Sequence, residues 1–459
     1  MEIRFKNNDN GFSVIRKSVL FNSIIISVFY FWQITNGMIS NILFCIFALL
    51  MVLFCLQRRN NVVYLAFFLL IMQKCFQYKF ENTIYITPIT YVDEIVELIT
   101  VILVLLYVIK NSIYLERIEK QSFGFFFSYI IVALISTAIY RYSSFVNAFL
   151  DLFVCAKFIV FYFWGRLILR SVKYDRIFKQ ELKDFARINA VWLVLLSLHD
   201  LFLAPIFPKF DYRFFTYSLQ LCFQHPTYLA AATITMMSLL MIDFQRKDLK
   251  YLVLLSVVTL LTFRTKAIGA IFGVAILYLA FVKLNIRYKK SIMLLVSFVF
   301  LISASDSFNK YFTAGEYTPI RLKLLRDGFD IANKHFPLGS GFATFGTTVA
   351  FSTKSFFYNL YGYTSGYYSN QPVADCFWNG VFAESGYIGA LFFILGTVFL
   401  VMFALKQFQN NKFSGWCILS ILVYTLITST SETSFFNPAI AVLFIIAGYS
   451  VCDSRKMKT

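Results

Sequence analysis

Gly389-Ala-Leu-Phe-Phe-Ile-Leu-Gly-Thr-Val-Phe-Leu-Val-Met-Phe-Ala-Leu405 runs without a single charged residue. It completes a segment, 379–405, that covers the roughly 20 apolar residues a helix needs to cross a bilayer. Working outward, comparable segments recur along the chain at 18–36, 39–56, 61–78, 93–110, 123–140, 146–170, 188–207, 221–243, 250–263, 267–283, 290–304, 413–429 and 436–452. Backbone in lipid has to satisfy its N–H and C=O groups within the segment, so each is expected to be a helix. The expected fold class is all-α: a polytopic integral membrane protein with about 14 transmembrane helices and one long external loop containing short helices.

Composition supports this reading. The 459 residues are 59% hydrophobic and 19% aromatic, and only 14% are charged, where a soluble chain carries about a quarter. Arg4, Lys6, Arg16 and Lys17 precede the first apolar run, Val19–Ile34. That run is long and aromatic with no Ala-x-Ala after it, and it reads as a retained span, not a cleaved signal. The formal charge of +18 is not a nucleic-acid signature, which needs a soluble basic platform. With the N-terminus inside, most Lys and Arg, including those of the Arg166–Arg187 connection, fall on the cytoplasmic side, as the positive-inside rule requires. Both termini are then cytoplasmic and the long loop is external. The eight cysteines contain no CxxC and lie mostly in apolar spans, where Cys is a small hydrophobe. They suggest neither a metal site nor a disulfide framework, and no cofactor is expected.

The loop from Ser305 to Trp378, roughly 70 residues, divides the chain into 1–304 (helices 1–11), 305–378 (the loop) and 379–459 (helices 12–14 and a cytoplasmic tail). Loops of this length are usually functional or disordered, and this one is too aromatic for a disordered tail. It holds an Arg-bearing helical segment, Pro319–Lys334, a glycine turn, Pro337-Leu-Gly-Ser-Gly-Phe-Ala-Thr-Phe-Gly346, a tyrosine-rich stretch and a lone Asp375. Thr318 and Pro319 suit an N-cap and first helical position. Gly339 and Gly341 let backbone approach a ligand or a neighbouring helix; with no Lys-Ser/Thr following, this is not a nucleotide loop. Tyr363 and Tyr367 can stack on pyranose faces or belong to an interfacial aromatic belt.

Between Tyr251 and Val282 the apolar sequence is interrupted by Phe263-Arg264-Thr265-Lys266. Two crossings of a ~30 Å core need about 40 residues, more than this stretch offers. Its tip falls short of the outer surface, or the helices thin the bilayer around it; Arg264 is then expected near the outer headgroup phosphates, either as a functional group or as a snorkelling residue. Polar groups inside spans are costly and suspect: His199 and Asp200 in 188–207, His225 opening 221–243, and Lys157 in 146–170. Asp200 and Lys157 could form a buried structural pair.

Arg264, the stretch Thr318-Pro-Ile-Arg321 … Pro337-Leu-Gly-Ser-Gly341-Phe-Ala-Thr-Phe-Gly346, and Asp375-Cys-Phe-Trp-Asn-Gly-Val-Phe-Ala-Glu384-Ser-Gly386-Tyr-Ile-Gly389 occur in that order. Together with Gln224-His225-Pro226 they resemble the O-antigen polymerase (Wzy) and O-antigen ligase superfamily over roughly residues 215–430. The resemblance implies metal-independent glycosyl transfer at the outer face of a bacterial inner membrane, with undecaprenyl-pyrophosphate-linked glycans as donor and acceptor. Arg264 and Arg321 match its two arginine positions and would stabilise the leaving pyrophosphate, since guanidinium binds phosphate oxygens in bidentate fashion. Arg321 could equally be a solvated helix face; Arg326 is a further candidate one turn on. Asp375 stands where ligases characteristically carry His, which leans towards polymerase. Asp375 and His225 would position or deprotonate the acceptor hydroxyl. Glu384 is either a second acid or a structural partner at a helix start. A chain-length regulator, a flippase and membrane lipid are the partners implied; nucleic acid is not. The alternatives are a ligase that moves finished glycan to a lipid A core or other terminal acceptor, and a lipid-linked oligosaccharide flippase. Transporters usually show repeated halves and midplane polar sites, and neither is evident here.

Overall fold

A computed structural model describes residues 9–81, 83–111, 114–170, 172, 175–213, 216–283, 298, 319–365, 368–369 and 376–451. Its helices are α1 (Asp9–Ile34), α2 (Gly37–Gln57), α3 (Asn60–Lys79), α4 (Ile86–Thr90), α5 (Val92–Lys110), α6 (Arg117–Tyr140), α7 (Phe145–Leu167), α8 (Arg176–Phe202), α9 (Pro226–Met241), α10 (Leu249–Leu261), α11 (Thr265–Leu277), α12 (Ile320–Lys334), α13 (Thr348–Ser352), α14 (Phe356–Leu360), α15 (Phe377–Asn410), α16 (Lys412–Ser429) and α17 (Pro438–Ser450). A π-helical turn, Tyr278–Lys283, continues α11. The only strands among the described residues are β1 (Tyr212–Arg213) and β2 (Thr216–Tyr217), an antiparallel pair that the sequence reading did not anticipate.

The protein is all-α, and eight described helices are long and apolar enough to cross a membrane: α2, α3, α6, α7, α8, α11 with its continuation, α15 and α16. Val19–Ile34, α9 and α17 are apolar but shorter. Of the predicted span 290–304 only residue 298 is described; each of the others falls largely on a helix. Helix α10 has 13 residues, about 20 Å at 1.5 Å per residue, which is short of a ~30 Å hydrocarbon core.

The described chain forms two compact units, Met1–Val96 with Ile168–Arg264, and Glu97–Leu167 with Thr265–Thr459. In the first, α8 packs against α1, α3, α9 and α10. Its interior is aromatic: the Phe29 ring meets Phe47 at 5.6 Å, Phe68 at 5.3 Å and Phe76 at 5.4 Å. Buried polar groups tie helices together; the Tyr30 hydroxyl donates to Asn189 Oδ1 at 2.7 Å. At the Arg176 end of α8, buried Asp248 accepts from Arg187 Nε at 3.0 Å and Lys183 Nζ at 3.1 Å.

In the second unit α15 packs on α6 and α12, and α17 on α7. Gly165 and Gly448 sit where α7 and α17 touch backbone to backbone. A Cβ on Gly165 would strike the Ile445 carbonyl, and one on Gly448 the Tyr162 carbonyl. Small residues that let backbones approach are the main source of packing energy between helices in lipid, where the hydrophobic effect no longer drives association. The predicted loop is folded where it is described: Leu324, Ile331, Phe345, Phe357, Tyr358 and Tyr363 form a buried core with Ala383 of α15. Helix α12 starts at Ile320 with Pro319 as the N-cap residue, one position later than the Thr318 cap expected; Thr318 itself lies outside the described residues.

Candidate functional site

His225 ends an irregular stretch in extended backbone and opens α9. Pro226 takes the first helical position, where a fixed φ suits the helix and no N–H is needed. The His225 Nδ1 accepts the Thr227 N–H at 3.1 Å and so caps the helix with its ring. Arg264 follows the end of α10. Phe263, just before it, is left-handed at φ 48, as is Leu221 at φ 51; for a side-chain-bearing residue this conformation costs about 1–2 kcal/mol. The Leu219 N–H donates to the Leu261 carbonyl at 3.1 Å, so the stretch leading to His225 is bonded to the end of α10.

These turns bring Arg264 Nη2 to 3.1 Å from His225 Nε2. The guanidinium lies over the Phe210 ring at 5.0 Å, and Phe210 stands edge-on to His225 at 4.6 Å. Tyr228 lies 6.1 Å from His225, and the Lys74 ammonium lies 4.8 Å from the Tyr228 ring centre. The two ring nitrogens of His225 thus face the Thr227 N–H and the Arg264 guanidinium, which can only donate. The positive end of the α9 dipole adds to them. An anionic oxygen of the phosphate class is the complementary partner.

The glycine turn does different work. Gly339 and Gly341 are left-handed, at φ 79 and 92, and a Cβ on Gly339 would strike the backbone of Gly386. Gly386 breaks α15 with φ 63 and ψ −165. Into that break the turn inserts its backbone: the Ser340 N–H donates to the Ala383 carbonyl at 2.8 Å, and the Gly341 N–H to the Glu384 carbonyl at 2.9 Å. Glu384 is buried and its Oε1 accepts the N–H groups of Thr344 at 3.0 Å and Phe345 at 3.2 Å. Asp151 of α7 accepts the Ala343 N–H at 2.6 Å. Glu384 thus serves as a structural partner of the turn. Cys155 lies beside both carboxyls, with a ligand atom of each of the three within 4.8 Å of the others.

The remaining candidates are dispersed. Arg321 is part-buried in the first turn of α12 and Arg326 is exposed on the same helix. Tyr363 is only 1% exposed; its hydroxyl donates to Asp327 Oδ2 at 2.8 Å and the Lys323 ammonium sits 4.5 Å from its ring centre. It packs inward, with no open ring face for a sugar. Burial, then the Asp327 charge, pushes the Tyr363 phenol up. Burial and the hydrogen bond to Asp330 push Tyr361 up to about 12. Hydrogen bonds from Lys334 and then Tyr361 hold Asp330 below the usual carboxylate range. Asp375 and Tyr367 lie outside the described residues. Lys157 pairs with Glu97 at 3.8 Å and not with Asp200; Asp200 accepts the Ile206 N–H at 2.7 Å and the Phe207 N–H at 3.1 Å. His199 Nδ1 meets the Ala204 carbonyl at 3.0 Å. The third histidine, His335, is satisfied on both sides, by the Ile331 carbonyl at 2.8 Å and the Tyr142 hydroxyl at 3.0 Å.

Sequence reasoning passed over Phe210, Lys74 and Asp151. The first two carry no local signature. Asp151 lies inside the predicted span 146–170, and the rule that singled out Lys157 applied to it equally. Compared with known proteins, the chain matches no family model and no curated relative.

Proposed function

We propose that this protein polymerises lipid-pyrophosphate-linked oligosaccharide repeat units by glycosyl transfer at the outer face of a bacterial inner membrane. The observation that supports it is the Arg264–His225 pair, a guanidinium and an imidazole nitrogen 3.1 Å apart at a helix N-terminus. The leaving group in such a reaction is an anionic lipid pyrophosphate, and donors aimed at that developing charge lower the barrier most.

In the proposed step, a hydroxyl at the non-reducing end of the incoming repeat attacks the anomeric carbon of the growing chain. The new C–O bond forms as the bond to the pyrophosphate oxygen breaks, and that oxygen keeps the electron pair. Arg264, with His225 beside it, holds the departing phosphate; Arg321 is the second arginine the resemblance implies. The hydroxyl proton passes to a carboxylate, for which Asp375 is the candidate.

The test is the banding of surface polysaccharide on a gel, in a deletion strain complemented with wild type, Arg264→Ala or Arg321→Ala. A single anchored repeat without the gene, and a ladder with wild type only, supports polymerase and both arginines. Loss of all anchored glycan, with long lipid-linked chains accumulating, identifies a ligase. Accumulation of single lipid-linked repeats on the cytoplasmic side identifies a flippase.

A further inference from the structure

Two carboxyl groups face each other in the second unit, and among the described residues no basic side chain is found against them. Asp151 is 0% exposed and Glu384 1%. The two carboxyls are hydrogen-bonded to each other; the other ionisable side chains that bear on them are Cys155, Tyr129 and Tyr358, with backbone N–H groups and the Thr347 hydroxyl beside them. Cys155, also 0% exposed, follows Asp151 by one helical turn on α7 and therefore shares its face. One ligand atom from each residue falls within 4.8 Å of the other two. The glycine turn has already taken one oxygen of each carboxyl, through the N–H groups of Ala343, Thr344 and Phe345. The second oxygen of Asp151, Oδ1, is buried without a hydrogen-bond partner.

Buried charges in proteins are paired or coordinate a metal. A shared proton would reconcile the two carboxyls without involving the thiol, which lies beside them and is hydrogen-bonded to Tyr129. We propose that Asp151, Cys155 and Glu384 bind one divalent transition-metal ion of the zinc class. Two carboxylates with one thiolate form a mixed O/S donor set that zinc accepts at about 2.0–2.2 Å for oxygen and 2.3 Å for sulfur. The three donors would close onto one ion, leaving its fourth position to a further ligand. The backbone N–H groups already on the carboxylates are the outer support that metal-binding carboxylates usually have. Binding displaces the thiol proton to solvent. The ion would fasten α7, α15 and the glycine turn at one point; no step of glycosyl transfer passes through it.

The test uses the full chain purified in detergent without chelator. Elemental analysis should find about one zinc-class ion per chain. After removal by chelator, added Co²⁺ should give the near-ultraviolet thiolate-to-cobalt band. Cys155→Ser should abolish that band, and Glu384→Gln should weaken metal retention at least about tenfold. A wild-type protein that carries no metal and takes up neither Zn²⁺ nor Co²⁺ overturns the proposal and leaves a shared proton. So does retention unchanged in Cys155→Ser and Glu384→Gln. If a variant does not elute as a folded protein, the wild-type measurements decide.

Discussion

Arg264 reaches His225 on the side of the ring left over once His225 has capped its helix: Nη2 and Nε2 are 3.1 Å apart, while Nδ1 holds the Thr227 N–H at 3.1 Å. One imidazole therefore serves the fold with one nitrogen and the candidate site with the other. The two roles are separable. His225→Asn keeps a good cap and removes the Nε2 nitrogen that meets Arg264. Its unfolding temperature in detergent should be near wild type and, on the proposed polymerase reading, polysaccharide chain formation should fall about 100-fold. If capping were the whole role of His225, chain formation would be unchanged.

Arg264→Lys keeps the charge over Phe210 and loses the planar fork that grips two phosphate oxygens. Polymer yield should fall at least about tenfold, with little loss of protein in the membrane. A fully active lysine variant would reduce Arg264 to a point charge at the headgroups.

Gly386 and Gly37 make a matched pair. Both are left-handed, at φ 63 and 66. A Cβ on Gly386 would strike the Pro337 carbonyl and the Gly339 nitrogen, whereas one on Gly37 has nothing within 4 Å. Gly37→Ala should cost about 1 kcal/mol, the backbone term alone. Gly386→Ala should cost at least about 3 kcal/mol, because the glycine turn must leave α15. Thermal unfolding of the two purified variants gives the comparison; equal losses would mean the turn is not seated in the α15 break.

Hydrogen bonds from Lys334 and Tyr361 hold the Asp330 carboxyl below its usual range. A depressed folded pKa contributes stability above the unfolded value of 3.8, and that stability is lost as pH falls through the folded value. Asp330→Asn should therefore loosen the α12–α14 region at neutral pH, read as faster proteolysis there. The difference from wild type should shrink as pH drops below about 4. A difference that persists at pH 3 would assign the effect to packing.

The positions of the helices were legible because lipid leaves little choice: a long apolar run must satisfy its own backbone. His225-Pro226 was legible as a helix start, and Arg264 as an interruption too close to both ends of its apolar run. Partners were not legible. Glu384 binds backbone N–H groups of Thr344 and Phe345, and a backbone donor has no residue identity to read. Tyr363 and an open sugar-stacking tyrosine look alike in sequence; only the position of Asp327 and Lys323 turns the ring inward. The short β1–β2 pair has too few residues for a period-2 pattern to show.

Lys157 shows the same limit and allows a clean test. Sequence offered Asp200 as its partner; the fold supplies Glu97 at 3.8 Å, with side chains 2% and 0% exposed. Removing one member of such a pair strands the other charge in a low-dielectric interior, at about 3–5 kcal/mol, while replacing both with apolar groups of similar size is close to neutral. Glu97→Gln and Lys157→Met should each lower the unfolding temperature sharply. The double variant should recover most of the loss, giving a coupling energy well above the about 0.5 kcal/mol seen for independent sites. Additive losses would show that the two groups do not depend on each other. Asp200→Asn in the Lys157→Met background serves as the control, and should add its own small effect without coupling.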